Sequence, residues 1–400
     1  MKRPSGRKRQ PSGLPVVQLR RDLARALRAG HPWLFADALA APMGLAAGSV
    51  VEVHDARGNW LARGIYDPDS PIAVRVWSLD RDEPLDASLL RRRLRGAAAL
   101  RRSLLAPTDT DAYRLAHGEG DRLPGLICDI YADTAVIQLD SPALAPWLTA
   151  AAQAIGELLP GLARIALREA RQPEPGGPRW LVGEAPAERL VVREHGMLLE
   201  ADVEQGHKTG LYLDQRESRR RIRELAAGRR VLNTFAYTGA FSVAAALGGA
   251  ASVTTLDQAA PAVEAARRNF ALNGLDPDAY RFIGGDAFAF LAEDAEHYDL
   301  VIVDPPSMAA SRANLDRALS AYRRLNIDAL HRCAPGALLL SASCSSHVSA
   351  DQLRGILAEA GARAGRSLRI LEARGAGPDH PTLPAFPEGD YLHAFLVHVA

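Results

Sequence analysis

Cys344 closes an apolar run, GALLLSASCSSH, and sits among Ser343, Ser345 and Ser346. A thiol is a potent nucleophile once ionised, and addition of a thiolate to C6 of a cytosine makes C5 electron-rich enough to take a methyl group. A free cysteine is also an ordinary small apolar core residue, which is our reading of Cys128 and Cys333. What sets Cys344 apart is its exit from an apolar strand into polar residues, opposite a second unusual strand end in DLVIVDPPSM. There Asp304 precedes Pro305 and Pro306. Paired prolines remove donors and stiffen the backbone, which leaves carbonyls and Asp304 to face a flat, polar base edge; a plain rigid turn is the alternative.

Three further strand ends carry candidate binding groups. In VLNTFAYTGAFSVAAA, Thr238 and Gly239 open a helix directly after a strand, a turn that can offer backbone N–H groups to a nucleotide. A full G-x-G-x-x-G is missing, because Phe235 and Tyr237 stand where a nicotinamide fold prefers glycines. SVTTLD ends in Asp257, 18 residues beyond Gly239, close to the spacing at which an acid binds ribose hydroxyls. GGDAFAFL supplies Asp286, which could accept from an adenine amino group while apolar neighbours cover the ring. Either acid could instead be a helix N-cap, the commoner role for a single Asp at a strand–helix junction. Taken together, the consecutive strand ends describe an adenosine pocket.

The elements that must hold these residues alternate from about residue 196 onward: RRVLNTF, SVTTLD, YRFIGGD, YDLVIVD, GALLLSASC and YLHAFLVHV are apolar strands separated by helical stretches. That rhythm predicts a mostly parallel sheet flanked by helices, with ligands at the carboxyl ends of its strands. Before it, HGMLLEADVEQGHKTGLYLD reads as a hairpin and ESRRRIRELA as a helix. Residues 86–195 read as an α+β unit containing the basic helix SLLRRRLRGAAALRRSLL, a β-hairpin system over AYRLAHGEGDRLPGLICDIYADTAVIQLD, the helix PWLTAAAQAIGELL and the loop REARQPEPGGPRW. Residues 15–85 read as a small β-barrel built from VVQL, SVVEVHD, WLARGIYD and IAVRVWSL, with DLARALRAGH as a short helix. Residues 1–14 form a basic tail expected to be disordered.

Composition narrows the class. No stretch approaches the roughly 20 apolar residues of a membrane span, and no secretory signal follows the basic N-terminus, so a cytoplasmic address is expected. Three cysteines show no metal-ligand spacing, so no metal is expected. Only Lys2, Lys8 and Lys208 among the 48 basic residues are lysines. Residues 1–105 carry 19 Lys and Arg against 10 Asp and Glu although the whole chain is at +1, so this end is suited to a polyanion. A solvated basic surface explains the same asymmetry equally well.

At these residues the chain resembles the bacterial 23S ribosomal RNA large-subunit 5-methylcytosine methyltransferases with an N-terminal PUA domain. RALRAGHPWLF resembles the start of the PUA domain, GEGDRLPGLICDIYAD the central domain and GLYLDQRESRR the entry to the catalytic domain; NTFAYTGAFS, VDPPS, SCS and DHPTLPAFPEGDYL complete the series. The resemblance implies a multidomain α/β protein: a PUA-like β-barrel, a central α+β domain and, over 196–400, a Rossmann-like class I methyltransferase domain. It implies S-adenosyl-L-methionine as cofactor, surrounded by Asn233, Phe235, Tyr237, Thr238, Gly239, Asp257, Asp286 and Asp304 and capped by Asp214 and Gln215. Asp304 would orient the base and Cys344 would form a covalent adduct. The implied partner is 23S ribosomal RNA, naked or in an early assembly intermediate, bound by a chain that could be a homodimer. Two departures, Met308 after DPPS and AYRRLN in the next helix, bear on base stacking and local packing. Other readings are a methyltransferase acting on another base or RNA, and a non-catalytic ribosome-assembly RNA-binding protein.

Overall fold

The computed structural model describes residues 13–106, 108–169, 177–309 and 314–400. Most of the basic tail and most of the Pro/Gly-rich loop near residue 173 lie outside them. Strands β1 (Val16–Leu19), β2 (Trp33–Phe35), β3 (Leu39–Ala40), β4 (Val50–His54), β5 (Trp60–Tyr66) and β6 (Ile72–Ser78) form one sheet in the order β2-β6-β5-β4-β1-β3. Helix α1 (Ala24–Ala29) interrupts them and ends on Gly30 in the left-handed conformation. Val17, Leu27, Leu34, Val51, Val53 and Val74 fill the interior.

Helix α2 (Ala87–Leu104) begins where the Asp86 side chain accepts from Leu89 N–H. It packs with α3 (Leu148–Leu158) on a five-stranded sheet, β11-β10-β9-β8-β7, made of β7 (Ala112–His117), β8 (Leu126–Tyr131), β9 (Thr134–Leu139), β10 (Arg164–Arg168) and β11 (Arg179–Val182). The basic helix is therefore amphipathic: Leu89, Leu90, Leu94 and Ala98 are buried, while Arg95 and Arg102 are exposed.

The predicted hairpin over 195–214 is corrected. β13 (Met197–Ala201) pairs backward with β12 (Leu190–Glu194), not forward with LYLD. The chain cannot continue as a strand, because the Asp202 carboxylate accepts from the N–H groups of Glu204 and Gln205 and folds the backbone into a turn. Leu213–Gln215 then forms a single 3-10 turn leading into α4 (Arg216–Leu225).

The remainder is the anticipated α/β unit: β14 (Arg230–Thr234), α5 (Ala240–Leu247), β15 (Ser252–Asp257), α6 (Ala260–Leu272), β16 (Arg281–Gly284), α7 (Ala287–Glu293), β17 (Tyr298–Val303), α8 (Leu315–Arg332), β18 (Cys333–Ser343), α9 (Ala350–Ala364), β19 (Leu368–Arg374) and β20 (His393–Val399). Its sheet runs β16-β15-β14-β17-β18-β20-β19, parallel except where β20 lies antiparallel between β18 and β19. Alternation divides the strands between two cores. Val231, Leu300 and Ile302 face α4 and α5, whereas Leu232, Val301, Val303 and Leu339 face α8 and α9.

The five- and seven-stranded sheets are joined through one buried ionic junction. Asp379 holds Arg216 through two bonds of 2.8 Å and accepts from Arg114 N–H, while its carbonyl accepts from Arg101 at 2.6 Å. Arg101 in turn pairs with Asp121, and Arg114 with Asp129. Phe386, from the same late segment, packs edge-on against Trp33 with centroids 4.5 Å apart, and Trp33 Nε1 donates to Glu119.

Candidate active site

The carboxyl ends of β14, β15, β16, β17 and β18 open on one cleft, closed on its far side by residues 207–219 and by Leu392. Of the predicted residues, Asp214, Gln215, Phe235, Tyr237, Thr238, Asp257, Asp286, Asp304 and Cys344 line it. Asn233 and Gly239 do not. Asn233 still lies within β14, where its buried amide donates to Ser242 Oγ on α5. Gly239 forms the N-cap of α5 at φ +76°, and a Cβ there would stand 2.6 Å from the Ala266 Cβ. It shapes the turn and lets α6 approach closely.

That turn is strained. Phe235 and Tyr237 both adopt positive φ, 55° and 48°, so the chain follows a glycine-like path without glycines. Tyr237 N–H donates to Asp257 Oδ2 at 2.7 Å and Ala259 N–H donates to Oδ1 at 2.9 Å, which ties the first and second strand ends together. Thr238 Oγ1 is buried without a hydrogen-bond partner among the described residues. Asp286 is exposed at the cleft and caps α7 through Ala289 N–H. The helix-cap and ligand readings of Asp286 are thus compatible, since Oδ2 is left over.

At the other end of the cleft, Gln215 Nε2 donates to Asp304 Oδ2 at 3.0 Å. Burial, reinforced by the Asp214 charge, pushes the Asp304 carboxyl up to about 7. Cys344 Sγ lies 3.8 Å from the Pro305 carbonyl. Its thiol is pushed up to about 12, first by burial and then by Asp304, so the site holds it protonated. The flanking serines fix the turn: Ser343 Oγ donates to Tyr322 Oη, and Ser345 Oγ to the Ala309 carbonyl. Met308 packs between two core clusters and does not line the cleft, so its expected effect on base stacking is corrected to one on packing.

Several residues in the cleft wall or directly behind it were not singled out from sequence. Lys208 Nζ lies 3.8 Å from Asp214 Oδ2 and over the rings of Tyr212 and Tyr391, at 5.5 and 5.6 Å. Tyr391 Oη donates to the same Asp214 oxygen at 2.8 Å. His207 stacks on Tyr237, with centroids 4.7 Å apart. Lys208 is the single lysine beyond residue 8, in a chain that otherwise uses arginine, and this was the available signal.

The chemistry of the lining suits an adenosine bearing a cationic sulfonium: carboxylates at Asp257 and Asp286, apolar cover from Phe235, Ala287 and Pro306, and further carboxylates at Asp214 and Asp304. Comparison with known proteins agrees. The profile of the S-adenosylmethionine-dependent methyltransferases matches residues 149–396, and that of PUA-like domains matches residues 17–79. The chain is 38% identical to proteins named ribosomal RNA large subunit methyltransferase I from Klebsiella pneumoniae (strain 342) and Alteromonas mediterranea, over 96% of this chain and 98% of each relative. In fold it is similar to a protein of Streptococcus mutans described as a SAM-dependent methyltransferase, with a TM-score of 0.84 at 21% identity over 96% of this chain and 100% of the other. A methyltransferase solved with SAH gives the same TM-score, 0.84, at 22% identity, over 96% of this chain and 99% of the other. The chain therefore belongs to the S-adenosylmethionine-dependent methyltransferases, within the family of ribosomal RNA large subunit methyltransferase I.

Proposed function

We propose that this enzyme methylates C5 of a cytosine in 23S ribosomal RNA through a covalent bond between Cys344 and C6. The observation that carries the reading is the placement of Cys344 and Asp304 on adjacent strand ends, in the same cleft as the residues suited to the cofactor. When bound, S-adenosylmethionine supplies an electrophilic methyl group. The chain's own residues do the rest.

A cytosine flipped out of its RNA would enter beside Pro305 with its N3 edge toward Asp304. A carboxyl near pKa 7 is well suited to give a proton to N3 and so make C6 electrophilic. Cys344 then adds to C6, and its thiol proton replaces the one Asp304 gave up. The protonated resting thiol is thereby no obstacle, since ionisation and addition occur together. The substrate follows from the relatives' names and its cytosine from the resemblance. RNA would be held by the PUA-like domain and the exposed arginines of α2. The units 15–85, 86–195 and 196–400, action on naked RNA or an early assembly intermediate, a cytoplasmic setting and a homodimer belong to the same proposal.

The test is Cys344→Ala, assayed with tritiated cofactor on ribosomal RNA from a strain lacking the gene. Methyl transfer should vanish while cofactor affinity stays within a few-fold of wild type. RNA containing 5-fluorocytosine should trap the wild-type enzyme covalently. Full methylation by Cys344→Ala would make the cysteine incidental and point to another base.

A further inference from the structure

The mechanism above leaves one proton without a destination: the hydrogen on C5 must leave before Cys344 can be released. We infer that Asp214 is the base that removes it, an assignment that rests on the covalent reading.

The cleft holds few groups able to do this. Asp257 is engaged through both oxygens at the far end, and Asp286 caps α7. Tyr212 and Tyr391 are phenols that burial makes still harder to ionise, and Lys208 is a cation. Asp304 already serves the N3 edge. Asp214 remains. It is 6% exposed, it lines the same cleft, and its Oδ1 has no hydrogen-bond partner among the described residues. Its other oxygen is pinned by Tyr391 Oη at 2.8 Å and faces Lys208 Nζ at 3.8 Å. One oxygen is anchored and the other is a buried acceptor with no partner among the described residues, on a side chain that lines the cleft.

The cation opposite Asp214 is itself fixed in place. Arg168 donates to the carbonyls of Glu204, Gly206 and Lys208, and Thr209 Oγ1 donates to Asp129 Oδ2 at 2.5 Å. Lys208 is thus held with a left-handed backbone, φ 57°, and its ammonium rests between two aromatic rings. The consequence is an opposed pair of carboxylates. Although burial works against it, Lys208 and His380 hold Asp214 below the usual carboxylate range, whereas Asp304 is raised. Environments that drive two neighbouring acids apart in this way assign one as base and the other as acid.

In the step itself, the anionic Asp214 Oδ1 takes the C5 proton. The C5–H electron pair forms the C5=C6 double bond, the C6–S bond breaks, and its pair returns to Cys344 as thiolate. The proton on N3 returns through Asp304 to the thiolate, and the proton on Asp214 passes to solvent. One proton is released per methyl transferred.

Asp214→Asn tests this with a readout that a structural role does not move. On unmodified ribosomal RNA the variant should complete the first methyl transfer and stall. A protein–RNA adduct that survives denaturant and carries the tritiated methyl should accumulate, while steady-state turnover falls about 100-fold or more. The assay is run at saturating cofactor, with binding confirmed by calorimetry, because Asp214 also lines the part of the cleft suited to the cofactor. In Asp214→Ala, added formate should restore product release, which guards against reading a folding defect as chemistry. Turnover near wild type, lost cofactor affinity without an adduct, or no rescue by formate would overturn the assignment. Failure of the wild-type enzyme to be trapped by 5-fluorocytosine RNA would instead sink the covalent reading itself.

Discussion

Replacing Asp304 with asparagine should make the protein more stable at neutral pH while removing most of its activity. The carboxyl is raised from 3.8 to about 7, a gap that at about 1.4 kcal/mol per pH unit corresponds to about 4 kcal/mol as a ceiling. Its sign follows from linkage. The folded state holds this proton more tightly than the unfolded one, so stability is greatest below about pH 4, declines as pH rises toward 7, and is flat above it. Asp304 is half-buried and faces the cleft, which lets solvent screen part of the penalty, so about 2 kcal/mol is the expected gain for Asp304→Asn near pH 8. The amide keeps the bond from Gln215, because its oxygen still accepts from Nε2. In a chain of this size such a gain raises the melting temperature by a few degrees. Calorimetric scans of wild type and variant at about pH 4 and pH 8 isolate the effect, since the difference between the two proteins should appear only at the higher pH. Methyl transfer by the variant should fall by about 100-fold or more, because an amide has no proton to give to N3. An Asp304→Asn protein no more stable than wild type near pH 8, or equally stabilised at both pH values, would refute the claim that the buried carboxyl is held at a cost for function.

Two other substitutions probe the framework. Asp379→Asn takes from the fully buried Arg216 the carboxylate that meets both its terminal nitrogens, leaving only Glu217 at Nε, and should destabilise by about 2–4 kcal/mol in urea unfolding; a loss below about 1 kcal/mol would show the junction to be dispensable. Gly239→Ala forces a Cβ to within 2.6 Å of the Ala266 Cβ at positive φ, and calorimetry should show cofactor affinity at least about tenfold weaker, with Cys344 unaffected in reactivity toward small alkylating agents.

The cleft was legible in the sequence wherever an apolar run broke abruptly on Asp, Gly, Pro or Cys. A parallel strand buried on both faces is a continuous apolar word, and its last letter is the one that faces the ligand. Asp257, Asp286, Asp304 and Cys344 were found this way. Asn233 does not line the cleft because it precedes the strand end: a residue still inside β14 points at α5, while the cleft begins two residues later at Phe235. Lys208, Tyr212 and Tyr391 were missed for another reason. Tyr391 meets Asp214 across 177 residues of chain, and no local pattern encodes such a contact. β19 was missed because an edge strand with most positions open to solvent lacks the apolar signature of its neighbours.

Trp33 and Tyr391 are joined more closely than the chain suggests. Phe386, seated on Trp33, is five residues from the tyrosine that anchors Asp214, and the buried Asp379 junction braces the segment that leads into that short span. The N-terminal sheet is therefore tied to the wall of the cleft through one aromatic contact and one hydrogen bond. On the proposed mechanism, an RNA held by that sheet would be presented to Cys344 at a set distance and angle, and the molecule would select its target as a gauge selects a part: by whether two features of one object fit two fixed points at once.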